Sequence, residues 1–226
     1  MSVPPSGAGA APSGMTADDI EVLEQVPVFQ GYFRVDRYRL RHRLFGGGWS
    51  APFLREVFDR GHAVAVVLYD PERDALVLIE QFRVGALAAG QSSQVNTAIV
   101  PWLIEIVAGI IDEGETPEAV AAREAVEEAG CEIRDLFPVC HFVLTPGVSS
   151  ETIWLFCGRV SAPASGCVHG LAHEHEDIRV LVVPSADAFR WLEEGRINNA
   201  TALIGLQWFR LHHQEIRARW LGDASP

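Results

Sequence analysis

The sequence contains no lysine, and all 18 of its basic residues are arginine. We attribute the missing lysine to a genomic bias rather than to chemistry. Acidic residues number 30, which gives a formal net charge of −12. An acidic surface repels the phosphate backbone, so a nucleic-acid-binding function is not expected. The same surface is compatible with metal ions, and with anionic small molecules that metal ions bridge.

Long apolar runs are also missing. No stretch approaches the roughly 20 apolar residues that cross a bilayer, so no membrane partner is expected. The N-terminus lacks the basic start and apolar core of a signal peptide. None of the cysteines shows the CxxC spacing of a structural zinc site. They are expected to be small buried apolar residues in a reducing cytoplasm, where we place the protein: Cys131, Cys140, Cys157 and Cys167.

The length of 226 residues suits one domain with a smaller appendage. Residues 1–19 are rich in Pro, Gly, Ser and Ala and are expected to form a disordered tail. Residues 20–60 alternate apolar and polar side chains, which predicts a small antiparallel β-subdomain with one wet face. Residues 61–220 are expected to form the main, catalytic domain.

Within the main domain, "HAVAVVLYD" and "ALVLIEQFR" are nearly continuous apolar strands joined by the turn "PERD". Residues 84–100 are small and uncharged and predict a mobile loop. "PWLIEIVAG" predicts one further strand, and three more are expected before two amphipathic helices that start near residues 185 and 199. The mixture of sheet and helices indicates an α+β fold.

A short helix is predicted after the loop "GIIDEGE". Thr116 is a suitable N-cap, Pro117 takes the first helical position, and Gly130 is a fitting stop. The small residues that recur between them predict the buried stripe, which would let the helix lie close to the sheet: Ala119, Ala122, Val126 and Ala129.

The charges of this helix are unfavourably placed. Glu124 and Glu128 are four residues apart on one face, where like charges repel, and both lie in the C-terminal half, where the helix dipole disfavours anions. A solvated acidic face is the ordinary interpretation. It explains neither this placement nor the glycine-rich lead-in, whereas a hard cation such as Mg²⁺, which prefers carboxylate and phosphate oxygens, explains both.

This stretch resembles the box of the Nudix hydrolases. All its charged and glycine positions match, and only the two small residues in apolar positions, Ala125 and Cys131, depart from the pattern. The matching residues are Gly109, Glu115, Arg123, Glu124, Glu127, Glu128 and Gly130. Flanking segments and Pro146 resemble the ADP-ribose pyrophosphatase branch over roughly residues 20–215. The resemblance implies a Nudix α/β/α sandwich with a mixed sheet, preceded by the β-subdomain.

The resemblance also implies roles for residues at the matching positions. Glu124, Glu128 and the backbone carbonyl of Ala108 are the expected metal ligands, with Gly109 letting that carbonyl turn toward the ion. Glu176, in the acidic stretch "HEHED", is the expected additional ligand. The expected ion is Mg²⁺, with Mn²⁺ or another divalent cation as the alternative.

Glu174, also in "HEHED", is the expected general base, while His173 and His175 remain competing bases because histidine titrates near neutral pH. Arg123 is expected to hold Glu115 or Glu127 by bidentate contacts, and Glu127 to support the site or share a metal through water.

Substrate binding is assigned to residues outside the box. Arg83 is expected to meet phosphate or to stack on a base, and Arg55 to help hold the adenosine. Phe33 or Tyr32 could stack on the adenine. The branch places a further substrate contact at Glu151, and Pro146, which marks the branch, is counted with the substrate-binding candidates.

The implied reaction hydrolyses ADP-ribose to AMP and ribose 5-phosphate. One alternative is hydrolysis of another nucleoside diphosphate sugar, such as GDP-mannose. An alternative of a different class is a catalytically silent Nudix module that senses a ligand. Because the β-subdomain is too small to bury its own face, and the branch uses it for dimerisation, we expect a homodimer with two composite sites.

Overall fold

The computed structural model describes residues 12–94 and 99–222. The first 11 residues of the predicted tail lie outside this range, and Thr16 caps a short 3-10 turn at Ala17–Asp19. The chain divides into two units. One contains the chain up to His62 together with His141–Ile153, and the other contains Ala63–Cys140 and the chain from Trp154 onward.

The first unit is built on the three-stranded antiparallel sheet that the alternating pattern predicted. Its strands are β1 (Ile20–Gln30), β2 (Arg34–His42) and β3 (Phe53–Asp59), in the order β1-β2-β3. β2 lies in the middle because it pairs with both neighbours, with Tyr38 opposite Gln25 on one side and Arg55 on the other.

The second unit carries most of an eight-stranded sheet. The central order is β10-β11-β5-β4-β9-β8, with β6 paired to β5 and β7 paired to β4. The strands are β4 (Ala63–Asp70), β5 (Ala75–Phe82), β6 (Trp102–Glu105), β7 (Val107–Ile110), β8 (Asp135–Val143), β9 (Thr152–Arg159), β10 (Val168–His169) and β11 (Ile178–Pro184). The helices are α1 (Val84–Gly90), α2 (Pro117–Ala129), α3 (Ser185–Glu193) and α4 (Ala200–Leu221). None of the helices within the described ranges is long and apolar enough to span a membrane.

Strand β4 shows why the sheet is covered on both sides. All eight of its residues are buried, as its continuous apolar sequence predicted. Val64, Val66 and Leu68 belong to the core cluster that α2 helps to form, while the neighbouring Val67 lies against Gly205 of α4. The sheet is therefore covered by helices on both faces, which confirms the predicted α/β/α sandwich.

Two local predictions were wrong. Val84–Gly90 forms helix α1 rather than a loop, and residues 95–98 of that segment lie outside the described residues. The segment "PWLIEIVAG" forms two strands rather than one, because the chain leaves β5 after Glu105 and pairs with β4 from Val107.

The capping of α2 was predicted correctly, but its buried face was not. The Thr116 side chain accepts a hydrogen bond from the N–H of Ala119, and Gly130 ends the helix in the left-handed conformation. Of the predicted stripe only Ala129 is buried, whereas Ala119, Ala122 and Val126 are exposed. The buried residues are instead Val120, Ala121, Ala125, Glu128 and Ala129. Alanines on several faces allow either helical phase, and in the structure Val120, Ala121, Ala125 and Ala129 form the apolar face that packs against the sheet.

Candidate active site

Arg123 is the centre of an ion-pair network on α2. Its Nε donates to Glu115 Oε1 at 3.0 Å, and its Nη1 donates to Glu124 Oε1 at 2.7 Å and to Glu127 Oε2 at 3.0 Å. Its Nη2 also donates to the carbonyl oxygen of Ile110 at 3.3 Å. One guanidinium therefore joins the loop before the helix, the helix itself and the end of β7, and it contacts both Glu115 and Glu127.

Glu128 lies at the base of this group, where only 3% of its surface is exposed. Its Oε2 accepts a hydrogen bond from the backbone N–H of Ala108 at 2.9 Å, so the carboxylate is held directly beside β7. Burial raises the pKa of Glu128 to about 8, and the negative charges of Glu124 and Glu176 act in the same direction. A buried carboxylate in this position is costly to ionise unless a cation accompanies it.

The side chain of Glu124 lies directly against Gly109. Burial also raises the pKa of Glu124, against the opposing effect of Arg123. A Cβ atom placed on Gly109 would lie 1.7 Å from Glu124 Oε1 and 2.0 Å from its Cδ. The φ of Gly109 is not positive, so the expectation that a glycine is needed here to turn the carbonyl of Ala108 is not supported. What this position requires is space for the carboxylate of Glu124.

The acidic loop between β10 and β11 contains Glu174 and Glu176. The Oε2 of Glu176 accepts the N–H of Leu171 at 3.1 Å, and the charge of Glu176 contributes to the raised pKa values of Glu124 and Glu128. Glu174 is more exposed, and its carboxylate Oε1 lies 3.5 Å from Nε2 of His173. The structure thus brings Glu176 within electrostatic reach of the α2 carboxylates, while Glu174 remains open to solvent.

This loop is anchored to the C-terminal end of α2. The N–H of Gly170 donates to the carbonyl oxygen of Glu127 at 3.1 Å. His169 lies so close to the helix-ending Gly130 that a Cβ there would be 2.6 Å from its ring. Gly170 itself has φ of 101°, a conformation that favours glycine.

Arg83 is held by a residue that the sequence analysis did not single out. Its Nη2 donates to Glu105 Oε2 at 2.8 Å and its Nε to the same oxygen at 3.1 Å. The buried Gln81 donates to Glu105 at 3.2 Å and approaches Glu128 Oε1 at 3.5 Å. Burial opposes the charge of Arg83, but the hydrogen bonds and charge of Glu105, with Glu128 and Glu176, raise its pKa. A lone carboxylate inside the apolar segment "PWLIEIVAG" was the available signal for Glu105.

The remaining substrate candidates lie in the first unit, where Phe33 and Glu151 both contact Arg60. Phe33 packs edge-on against Phe58 with ring centroids 5.1 Å apart, whereas Tyr32 is 89% exposed. Arg55 donates to the carbonyl of Leu54 at 2.8 Å and lies over the ring of Phe53.

Glu151 is buried and forms an ion pair with Arg60 at 3.2 Å. Pro146 is exposed in a turn closed by the N–H of Val148, which donates to the carbonyl of Thr145. Glu151 is therefore held in place, while Pro146 shapes the turn that precedes it.

The residues on α2 and in the acidic loop fit a divalent cation. Within residues 12–94 and 99–222, no three His, Cys, Asp or Glu side chains are already gathered in a metal-holding arrangement, and Arg123 engages Glu124 instead. The donor chemistry is nevertheless that of a hard cation, because Glu124, Glu128 and Glu176 are all carboxylates. The raised pKa of the buried Glu128 and the space left at Gly109 both support this fit.

Comparison with known proteins gives consistent relatives. A NUDIX domain model matches residues 59–212. The chain is 46% identical over 203 residues to the ADP-ribose pyrophosphatase of Escherichia coli (strain K12). The alignment covers 90% of this chain and 93% of that protein. It is 41% identical over 202 residues to the protein of that name from Haemophilus influenzae, covering 89% and 91%.

More distant relatives have other names. A GDP-mannose pyrophosphatase of Yersinia pestis is 28% identical over 193 residues, covering 85% of this chain and 92% of that one. A solved structure described as an ADP compounds hydrolase aligns with a TM-score of 0.67 at 21% identity, covering 90% of this chain and 99% of that one. At that identity the structure shows a shared fold alone.

Proposed function

This chain belongs to the Nudix family, and we propose that it hydrolyses the pyrophosphate bond of ADP-ribose to give AMP and ribose 5-phosphate. The observation that carries the proposal is the 46% identity to a protein named ADP-ribose pyrophosphatase over nearly the full length of both chains. The intact carboxylate and arginine set on α2 supports a catalytic function over a silent ligand sensor.

The proposed cofactor is Mg²⁺, with Mn²⁺ or another divalent cation as the alternative. Glu124, Glu128, Glu176 and the carbonyl of Ala108 would hold it. The contact of Glu128 with the N–H of Ala108 supports this set, because it brings the carboxylate to the strand that carries the carbonyl. A bound divalent cation would neutralise negative charge on the phosphoryl oxygens as the bond to phosphorus breaks.

The protein side chains would prepare the water and the substrate. We assign the general base to Glu174, whose exposed carboxylate could accept a proton from the attacking water, with His173 and His175 as the competing bases. Arg123 would hold Glu115, Glu124 and Glu127 in place.

Arg83 would bind the diphosphate, since its guanidinium is forked and lies in a half-exposed position. In the first unit, Arg55, Phe33 and Glu151 are further proposed substrate contacts, with Pro146 shaping the adjacent turn.

We also propose that the protein is a homodimer. The first unit supports this with a set of exposed large apolar side chains, which is uncommon on a monomer surface. They are Ile20, Val22, Leu23, Val28, Phe29, Tyr32, Leu44, Phe45 and Leu54. The cytoplasm is the proposed location, in keeping with the four unpaired thiols.

A substrate panel tests the proposal. Purified protein with Mg²⁺ is offered ADP-ribose, GDP-mannose and other nucleoside diphosphate sugars, and released AMP, GMP and sugar phosphates are measured. We expect ADP-ribose to have the highest kcat/KM. A preference for GDP-mannose would favour the alternative substrate that the Yersinia relative suggests. Hydrolysis of none of them would favour the ligand sensor.

Replacing Glu174 tests the assigned base. Glu174→Gln keeps the size of the side chain but removes its basicity, so kcat should fall by about 100-fold or more. Affinity for Mg²⁺, followed by calorimetry, should change little. The matched control is Glu118→Gln, another exposed glutamate of the same unit, which should retain activity. Unchanged turnover in Glu174→Gln would remove this residue from the mechanism and direct attention to His173 and His175.

A further inference from the structure

Glu105 and Arg83 form a forked ion pair at the ends of two paired strands. Arg83 follows β5 and Glu105 ends β6, and the strands are in register with Phe82 opposite Trp102 and Ile79 opposite Glu105. The N–H of Arg83 donates to the carbonyl of Pro101 at 2.8 Å, which fixes the backbone from which the arginine side chain extends.

The hydrogen bonds to Glu105, called the fork below, occupy one edge of the Arg83 guanidinium. Nε and Nη2 both donate to Glu105, whose side chain is only 12% exposed, whereas that of Arg83 is 43% exposed. A guanidinium has five N–H groups in a planar arrangement, so the Nη1 end and one proton of Nη2 remain on the other edge. Within the described residues, Nη1 of Arg83 has no hydrogen-bonding partner.

Without Glu105, the site itself would compete for Arg83. The negative charges of Glu128 and Glu176 act on this guanidinium, and an arginine free to rotate would be drawn toward the carboxylates that we assign to the metal. The paired Glu105 gives Arg83 a directly hydrogen-bonded anionic partner, which holds the guanidinium against that pull.

Gln81 fixes Glu105 in turn. Its side chain is buried, with 5% of the residue exposed, and its Nε2 donates to Glu105 Oε2, the same oxygen that receives the fork. The carboxylate therefore has both its position and its orientation set from β5.

We propose that Glu105 is a positioning residue that holds Arg83 with its Nη1 edge presented to the diphosphate of the substrate. This rests on the proposed function, since it requires a nucleoside diphosphate sugar at the site. Glu105 acts through Arg83 and does not itself touch the substrate.

A double-mutant cycle tests this directly. Binding of ADP-ribose is measured by calorimetry in EDTA, where no metal-dependent hydrolysis occurs, for wild type, Glu105→Gln, Arg83→Ala and the double variant. We expect Glu105→Gln to weaken binding about 10-fold in the presence of Arg83 and less than about 2-fold in its absence. With Mg²⁺, the KM of Glu105→Gln should rise more than its kcat falls. Glu193→Gln, which removes the exposed ion pair to Arg210, is the control and should bind as wild type does.

The other outcomes overturn the proposal. Equal losses in both backgrounds would show a merely structural role for Glu105, and tighter binding by Glu105→Gln would show that it only neutralises Arg83. If Glu105→Gln does not fold, as judged by its melting temperature, Glu105→Asp keeps the charge on a shorter side chain. Glu105→Asp should then weaken binding of ADP-ribose when Arg83 is present but not when residue 83 is alanine, and an equal loss in both backgrounds would again count against positioning.

The failure of the proposed function is distinguishable from this result. If wild type binds GDP-mannose and not ADP-ribose, the substrate assignment fails and the same cycle is run with GDP-mannose. If wild type binds no nucleoside diphosphate sugar, both proposals fall together.

Discussion

Adding one methyl group at Gly109 should disable the site without unfolding the protein. The Cβ atom of Gly109→Ala would lie 1.7 Å from Glu124 Oε1, 2.0 Å from Cδ and 2.4 Å from Cγ. These atoms belong to a side chain that can rotate, so the strand can stay in place while the carboxylate moves. Ordinary van der Waals contact then requires Glu124 Oε1 to move by at least about 1.5 Å.

That displacement sets the magnitude of the effect. A misplacement of about 1 Å can cost about 100-fold in rate, which corresponds to about 2.7 kcal/mol of activation free energy. Stability should change much less, because Arg123 keeps Glu115 and Glu127 when it loses Glu124. The loss of one partly exposed ion pair is worth up to about 1 kcal/mol. For a chain of this size the melting temperature should fall by about 2–4 °C.

The assay compares kcat/KM for ADP-ribose and melting temperature in wild type, Gly109→Ala and Gly46→Ala. Gly46 lies in open space with no left-handed φ, so its alanine variant should behave as wild type does. Shortening the displaced side chain should relieve the clash, so Gly109→Ala should cost little in a Glu124→Asp background. Near-wild-type activity of Gly109→Ala, or full additivity with Glu124→Asp, would refute the steric argument.

Two further predictions concern stability and assembly. Glu128→Gln should abolish hydrolysis and yet raise the melting temperature of the EDTA-treated protein at pH 8 by at least about 3 °C. The pKa of Glu128 in the folded protein, about 8, exceeds the ordinary glutamate value, so ionising this buried carboxyl destabilises the folded state. The stability that the protein has at low pH, where Glu128 is protonated, is therefore lost as pH rises through 8. The gain should therefore vanish near pH 4, and an equal gain at both pH values would contradict the assigned cause. Light scattering at micromolar concentration should give twice the mass of one chain, falling to one chain in Phe29→Arg or Leu54→Arg, whereas a monomeric wild type would count against dimerisation.

Much of the fold could be predicted from local sequence. The apolar run of β4, the alternation of β1–β3 and the caps Thr116 and Gly130 each follow from interactions within a few residues, because hydrophobic period and capping are local properties. Arg123 was likewise expected to hold Glu115 or Glu127, and it donates hydrogen bonds to both.

The sequence by itself determined which residues carry charge and which helix places them on one face. Only the tertiary structure decided that α2 buries Glu128 and exposes Val126. Alanines lie on several faces of this helix, so packing against the sheet determines which face is buried. It also decided the pairing of Arg83 with Glu105, 22 residues away. Burial and long-range pairing depend on segments that the chain brings together only on folding, and those two effects set both the raised pKa of Glu128 and the orientation of Arg83.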